Sequence, residues 1–358
     1  MELVCVYIPY ILLLYCSLII ATKLKFNQAY PLMICIMFIF AALRFDVGWD
    51  YMGYYDAIVM DTEERINSFE LFEYFFVRLS QFLNFPQFFF IINSFLTLFF
   101  LSLAIKRLSI NPKFSLFLYL TIPVFFLHSL STVRYHLALS MILFAFSYLK
   151  RKQIIHFLLL AIVTLGVHES SLITIPIFLL LYYFRIGYIC NVLLFVLSFF
   201  ISSFFLDYIL ILNTNLSLLS KLIMYASNTG NDSFNVLPLI FCGINIMNFL
   251  LYAKFKKSLE HDVLEYISLY NIGCVLMNIF SFQETLSTRI SRFFLVFLIL
   301  LLPFYVKIYS NVSARKVVSF FIYCGASLFY FMQLYIAAYS FANGDLKNQY
   351  IPYRLFFL

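Results

Sequence analysis

Arg44-Phe45-Asp46-Val47-Gly48-Trp49-Asp50-Tyr51-Met52-Gly53-Tyr54-Tyr55-Asp56 is the stretch on which the reading of this chain turns. It follows the apolar run 29–43 directly and holds an Arg, three Asp, three Tyr, two Gly and the only Trp of the 358 residues. Trp and Tyr alone would mark a membrane–water interface. Arg and Asp packed among them, with Gly permitting tight turns, make the segment as good a site as an anchor.

The rest of the chain has little charge to spend. It is 64% hydrophobic and 11% charged, with a mean hydropathy of +0.95; a soluble domain carries about a quarter charged residues. Apolar runs recur at 3–22, 29–43, 86–105, 114–128, 131–149, 154–167, 171–184, 189–207, 236–253, 264–282, 293–306 and 317–340. They predict an all-α, polytopic integral membrane protein of about twelve transmembrane helices. The short alternating strands of a β-barrel are missing from the sequence pattern. No polar block is long enough to fold alone, so residues 1–358 read as a single membrane domain with long outer loops at 44–85 and 208–235. The first run lacks a basic n-region and a small-residue cleavage site, and is expected to stay as a helix. The seven Cys all lie within apolar runs and read as small core residues.

Charge fixes the sidedness. Lys23/Lys25, Lys106/Arg107/Lys113, Lys150/Arg151/Lys152, Arg185, Lys254/Lys256/Lys257 and Lys307/Arg315/Lys316 cluster at every second turn. By the positive-inside rule these turns are cytoplasmic and both termini lie outside. The formal net charge of +7 is therefore topology, not a nucleic-acid footprint. Most acids fall outside, and the outer basic residues are mostly Arg: Arg44, Arg65, Arg78, Arg134, Arg289, Arg292 and Arg354. Arg grips phosphate and carboxylate bidentately and stays charged near apolar surroundings.

Four outer turns carry reactive residue types. They are His128-Ser-Leu-Ser-Thr-Val-Arg134-Tyr-His136, His168-Glu169-Ser170-Ser171, Glu284-Thr-Leu-Ser-Thr-Arg289-Ile-Ser-Arg292 and Tyr350-Ile-Pro352-Tyr353-Arg354. Each has a bland reading. Arg134 could snorkel to lipid phosphates. His168 before two Ser could belong to a helix cap, with Glu169 at a helix N-terminus. Arg289 and Arg292 could simply pair with Glu284 or with the acids of the first outer loop. Against these stands the gathering of Arg beside a His and carboxylates at one membrane face. Such a set suits a lipid-borne diphosphate: Arg would hold it and stabilise charge as it departs, and a His would take the proton of an attacking hydroxyl. The His spacing is not that of a zinc site, and no metal or other cofactor is expected.

Arg44 to Tyr51 is similar to the signature Arg-(aromatic)-x-Val-Gly-x-Asp-Tyr of the EpsG-type, Wzy-like polymerases of bacterial O-antigen and exopolysaccharide. Trp49 stands where that family often has a small polar residue. The Arg134 turn with Ala138, His168-x-Ser170-Ser171, the Arg289 region and the tail Pro352-Tyr353 resemble the family in the same order. The resemblance implies a GT-C-like bundle in the bacterial cytoplasmic (inner) membrane, with its active site facing outward. It implies a glycosyltransferase that moves a glycan from undecaprenyl diphosphate onto a lipid-linked oligosaccharide repeat unit, without a metal. The partners implied are those lipid-linked sugars, membrane lipid and a chain-length regulator. On this reading His168, Arg134, Arg289 and Asp50 are the catalytic candidates. Arg44, Asp46, Tyr51, Tyr55, Glu169, Arg292 and Tyr353 are the substrate-binding ones. A flippase for lipid-linked oligosaccharide would place charge at mid-span, and an O-acyltransferase of surface sugars would need a route for its acyl donor. Both remain alternatives.

Overall fold

A computed structural model describes residues 2–60, 63–67, 69–211, 236–256, 261–342 and 350–357. The second outer loop expected at 208–235 falls outside the described residues from 212 onward. The described chain is helical except for one short antiparallel pair of strands. It forms two compact units, residues 1–172 with 309–358, and residues 173–308.

The first unit opens with α1 (Glu2–Lys23) and α2 (Phe26–Ala42), which pack on each other. Then come β1 (Arg44–Phe45), α3 (Tyr51–Val59), α4 (Glu63–Ile66) and α5 (Leu71–Phe82). The long helix α6 (Gln87–Leu108) follows, with α7 (Pro112–Thr121), the single turn α8 (Phe126–Ser129), α9 (Val133–Lys150) and α10 (Ile154–Leu165). At the centre, α9 is buried along almost its whole length between α6 and α10. A helix apolar all round belongs inside a bundle.

The run 114–128 is broken rather than continuous. Pro123 separates α7 from α8; it has no N–H to give the helix and its ring clashes with the preceding turn. The loop 44–85 is richly structured. In α5 the pattern is inverted: Glu73, Val77 and Ser80 are buried, whereas Leu71 is 73% and Phe82 86% exposed. The face of α5 turned to the protein thus carries polar groups, and exposed apolar side chains lie on the other.

The second unit contains α11 (Ser171–Tyr183, from its third residue), α12 (Tyr188–Ile211), α13 (Val236–Phe255), α14 (His261–Ile279), α15 (Glu284–Leu295) and α16 (Leu298–Lys307). Its hub is α14, which packs on α12, α13, α15 and α16. A ladder of buried amides joins three of them. Asn271 Nδ2 donates to Asn191 Oδ1 at 3.1 Å, and Asn245 Nδ2 donates to Asn271 Oδ1 at 2.8 Å. Interhelical amide bonds of this kind hold helices together where burial of apolar surface gives no drive. The chain then returns to the first unit with α17 (Val312–Ala342) and β2 (Arg354–Leu355).

Among the described residues, Gln87–Leu108, Leu237–Phe255 and Val312–Tyr339 are long and apolar enough to cross a bilayer. The pair α15 and α16, bent by 41°, makes a fourth if it is one span. Several expected spans are shorter apolar helices, including α10 with 12 residues and α11 with 13.

Candidate functional site

The expected signature folds as a clamp around Arg44. Arg44 is 1% exposed, yet its guanidinium is well supplied with acceptors. Nε donates to the Val47 carbonyl at 3.2 Å, Nη2 to the Leu130 carbonyl at 3.2 Å, and Nη1 to the Ala41 carbonyl. The planar fork of Arg makes three such contacts at once; a Lys ammonium does not match it. Its face lies over the Phe90 and Tyr51 rings at 5.3 and 5.8 Å. Burial pulls its pKa down to about 10, so it stays charged at neutral pH.

Gly48 explains the glycine of the motif. Its φ is +104°, and a Cβ there would run into the Leu130 carbonyl. The next backbone N–H, of Trp49, donates to Ser131 Oγ at 3.0 Å. Tyr51 is fully buried and donates to Gln87 Oε1 at 2.6 Å, while Gln87 Nε2 donates to the Arg44 carbonyl at 3.0 Å. β1 pairs with β2, and Arg354 Nη1 meets Asp46 Oδ2 at 3.4 Å. The loop is thereby fastened to the 130–131 turn, immediately ahead of α9 and Arg134.

Three elements converge beside it. Glu70 precedes α5, Arg134 lies in the first turn of α9, and His168 lies in the turn between α10 and α11. Glu70 occupies the helix cap position but does not cap, so its carboxylate is available to distant groups. Oε1 accepts from His168 Nδ1 at 3.2 Å and from the Glu169 backbone N–H at 3.3 Å. Oε2 accepts from Arg134 Nη1, and Arg134 Nε donates to Tyr54 Oη at 2.8 Å. The side chains of Glu70, His168 and Arg134 are 18, 13 and 22% exposed, so the cluster is lodged in the protein yet open to a ligand. Burial alone would raise the Glu70 pKa. The His168 hydrogen bond and the Arg134 charge outweigh it and hold Glu70 at about 2. Tyr54 is pushed up to about 12 by burial, against the pull of Arg134.

One turn on, Glu73 is fully buried. Asn93 Nδ2 donates to its Oε2 at 3.2 Å, while Oε1 and Asn93 Oδ1 have no hydrogen-bond partner among the described residues. Burial pushes Glu73 up to about 8, with Arg134 pulling the other way. At neutral pH this carboxyl holds its proton, one turn from a carboxylate that has lost its own.

The profile of the EpsG family matches residues 27–355, nearly the whole chain. The chain belongs to the EpsG family. EpsG is a Wzy-like polymerase family, and its apolar helices make this member a multi-pass membrane protein. No curated protein and no solved structure matches the chain.

In this EpsG-family chain, Arg134 and His168 meet on one carboxylate, as two members of the expected set. Glu169 joins through its backbone N–H. Asp50 stands half-buried at the start of α3, near enough to Tyr54 to raise its hydroxyl pKa. Tyr55 stacks on Tyr51, and Tyr353 lies on the Phe40 ring and donates to the Phe40 carbonyl at 2.8 Å. The polar atoms of Arg44, Tyr51 and Tyr353, expected to bind substrate, hydrogen-bond to protein partners and fasten the loop. Arg289 and Arg292 sit in α15 of the second unit, half-buried and buried respectively. Glu70, Tyr54 and Glu73 were not among the expected site residues. The one available signal was a pair of carboxyls at i and i+3 in a chain with 17 acids.

Proposed function

We propose that this protein is the polymerase that lengthens a surface polysaccharide at the outer leaflet of the bacterial cytoplasmic membrane. It transfers the growing glycan from undecaprenyl diphosphate onto the terminal sugar of a lipid-linked repeat unit. The observation that carries this reading is the convergence of Arg134 and His168 on Glu70, within a chain of the EpsG family.

The chemistry follows from the hydrogen bonds. A carboxylate that accepts from Nδ1–H fixes the tautomer of His168 and leaves Nε2 as the basic nitrogen. Nε2 takes the proton of the acceptor hydroxyl as that oxygen bonds to the anomeric carbon of the donor glycan. The bond from that carbon to the diphosphate breaks, and its electron pair leaves with the diphosphate. Arg134 has used two of its five N–H groups on Tyr54 and Glu70. Its remaining donors meet the departing oxyanion. Arg289 is a candidate for the diphosphate by its place in the family pattern alone, and Asp50 orients the acceptor. Charge neutralisation by guanidinium groups makes the transfer independent of metal. The shorter apolar helices complete the bundle of about twelve spans by pairing as broken helices, and a chain-length regulator docks on it.

Gel analysis of surface glycan in a deletion strain tests the reading. Single repeat units displayed outside are the expected product. Units retained on the inner leaflet would replace the polymerase with a flippase.

A further inference from the structure

An apolar groove of about 580 Å3 lies against the charged cluster, inside the first unit. Its walls come from α5, α6, α9 and the end of α10, and include Phe72, Phe76, Phe100 and Met141. The volume is that of a site for a sizeable organic ligand, about 300–1,000 Å3. The lining offers essentially no polar atom, so nothing in it would hold a sugar or water.

The groove starts where the charged cluster stops. Leu71 follows Glu70, Val167 precedes His168, and Leu137 lies one turn beyond Arg134. Two of its lining residues are thus chain neighbours of residues that hold the polar centre, and a third lies one helical turn from Arg134. An occupant that fills the groove and touches the cluster is an amphiphile: hydrocarbon at one end, an anion for Arg134 at the other. Phe72 is pinned in place. Its backbone N–H donates to the Gly166 carbonyl at 2.9 Å, and its ring packs so close to Gly166 that a Cβ there would come within 2.8 Å. The groove wall is therefore tied to the turn that carries His168.

We propose that this groove is the subsite for the first isoprene units of the polyprenyl donor, and that it sets the diphosphate at Arg134. This rests on the polymerase reading above. Hydrocarbon burial along Phe72, Phe76 and Met141 supplies binding that does not change during the reaction. It therefore acts on donor affinity more than on the transfer step.

The test uses the full chain in phosphatidylglycerol nanodiscs with a polyprenyl diphosphate bearing a diazirine on its third isoprene unit. Photolysis should mark peptides covering residues 71–76, 137–141 and 163–167. Unlabelled polyprenyl diphosphate should suppress the marking, whereas added phosphatidylglycerol should not. In polymerisation assays Met141→Trp, which fills the groove, should raise the KM for the donor about tenfold with kcat little changed. Gly166→Ala, which displaces Phe72, should act in the same direction. Marking spread over lipid-facing helices and indifferent to competitor overturns the proposal, as does equal competition by phosphatidylglycerol. An unchanged KM in a well-folded Met141→Trp protein overturns it too. Specific marking in a protein that makes no polymer would instead count against the polymerase reading while leaving the groove assigned.

Discussion

Arg44 Nη2 donates to the carbonyl of Leu130 at 3.2 Å, across 86 residues of sequence. This bond, with Gly48 pressed against the same carbonyl, holds the signature loop on the turn that starts α9. The family's leading Arg thus holds the turn that leads into Arg134.

Arg44→Lys should accordingly be a severe change despite keeping the charge. The three N–H groups of an ammonium radiate from one atom and do not match carbonyls set around a planar fork, and buried acceptors left unpaired cost about 1–3 kcal/mol each. Thermal unfolding of the purified protein should show a drop of several degrees. A Lys variant that melts with the parent would remove the positioning role.

Glu70→Gln preserves shape but removes the charge that fixes His168 and faces Arg134. With the wrong tautomer available, the rate of polymer formation should fall about 100- to 10,000-fold. Donor KM should change far less. Equal loss in both parameters would point to a disturbed fold instead of a lost orienting carboxylate.

Glu73 gives a pH signature. Its pKa is raised from 4.5 to about 8 by burial, so the folded protein keeps a proton that the unfolded chain releases. Stability from this group is fully present below about pH 4.5 and is lost as pH rises through about 8. Glu70 has the opposite sign, its contribution being lost as pH falls from 4.5 towards about 2. Glu73→Gln should therefore melt progressively above the parent as pH rises between about 5 and 8. Parallel melting curves across that window would show that Glu73 is ionised in the folded state.

The sequence itself marks part of this arrangement. The polar density of residues 44–56 in an 11% charged chain singles that loop out, and Arg134 and His168 are conspicuous at the ends of apolar runs. Glu70 was not, because its partner His168 lies 98 residues away and no local spacing announces the contact. The burial of α5 was not legible either. Period 3.6 marks an apolar stripe but does not say whether protein or lipid faces it. Here Leu71 and Phe82 face out and Glu73 faces in. The break at Pro123 within run 114–128 was readable in principle, since a mid-helix Pro always threatens the helix. The partners of Arg44 and Tyr51 within the protein were not legible either. A motif fixes which residues matter, and both a ligand and a carbonyl are good acceptors for the same guanidinium.

The most direct measurement is surface glycan length in a deletion strain complemented with His168→Ala or Arg134→Ala, at matched levels of inserted protein. Single repeat units in place of long chains are expected from both variants. Polymer of normal length from either one would contradict a catalytic centre built on the Glu70 cluster.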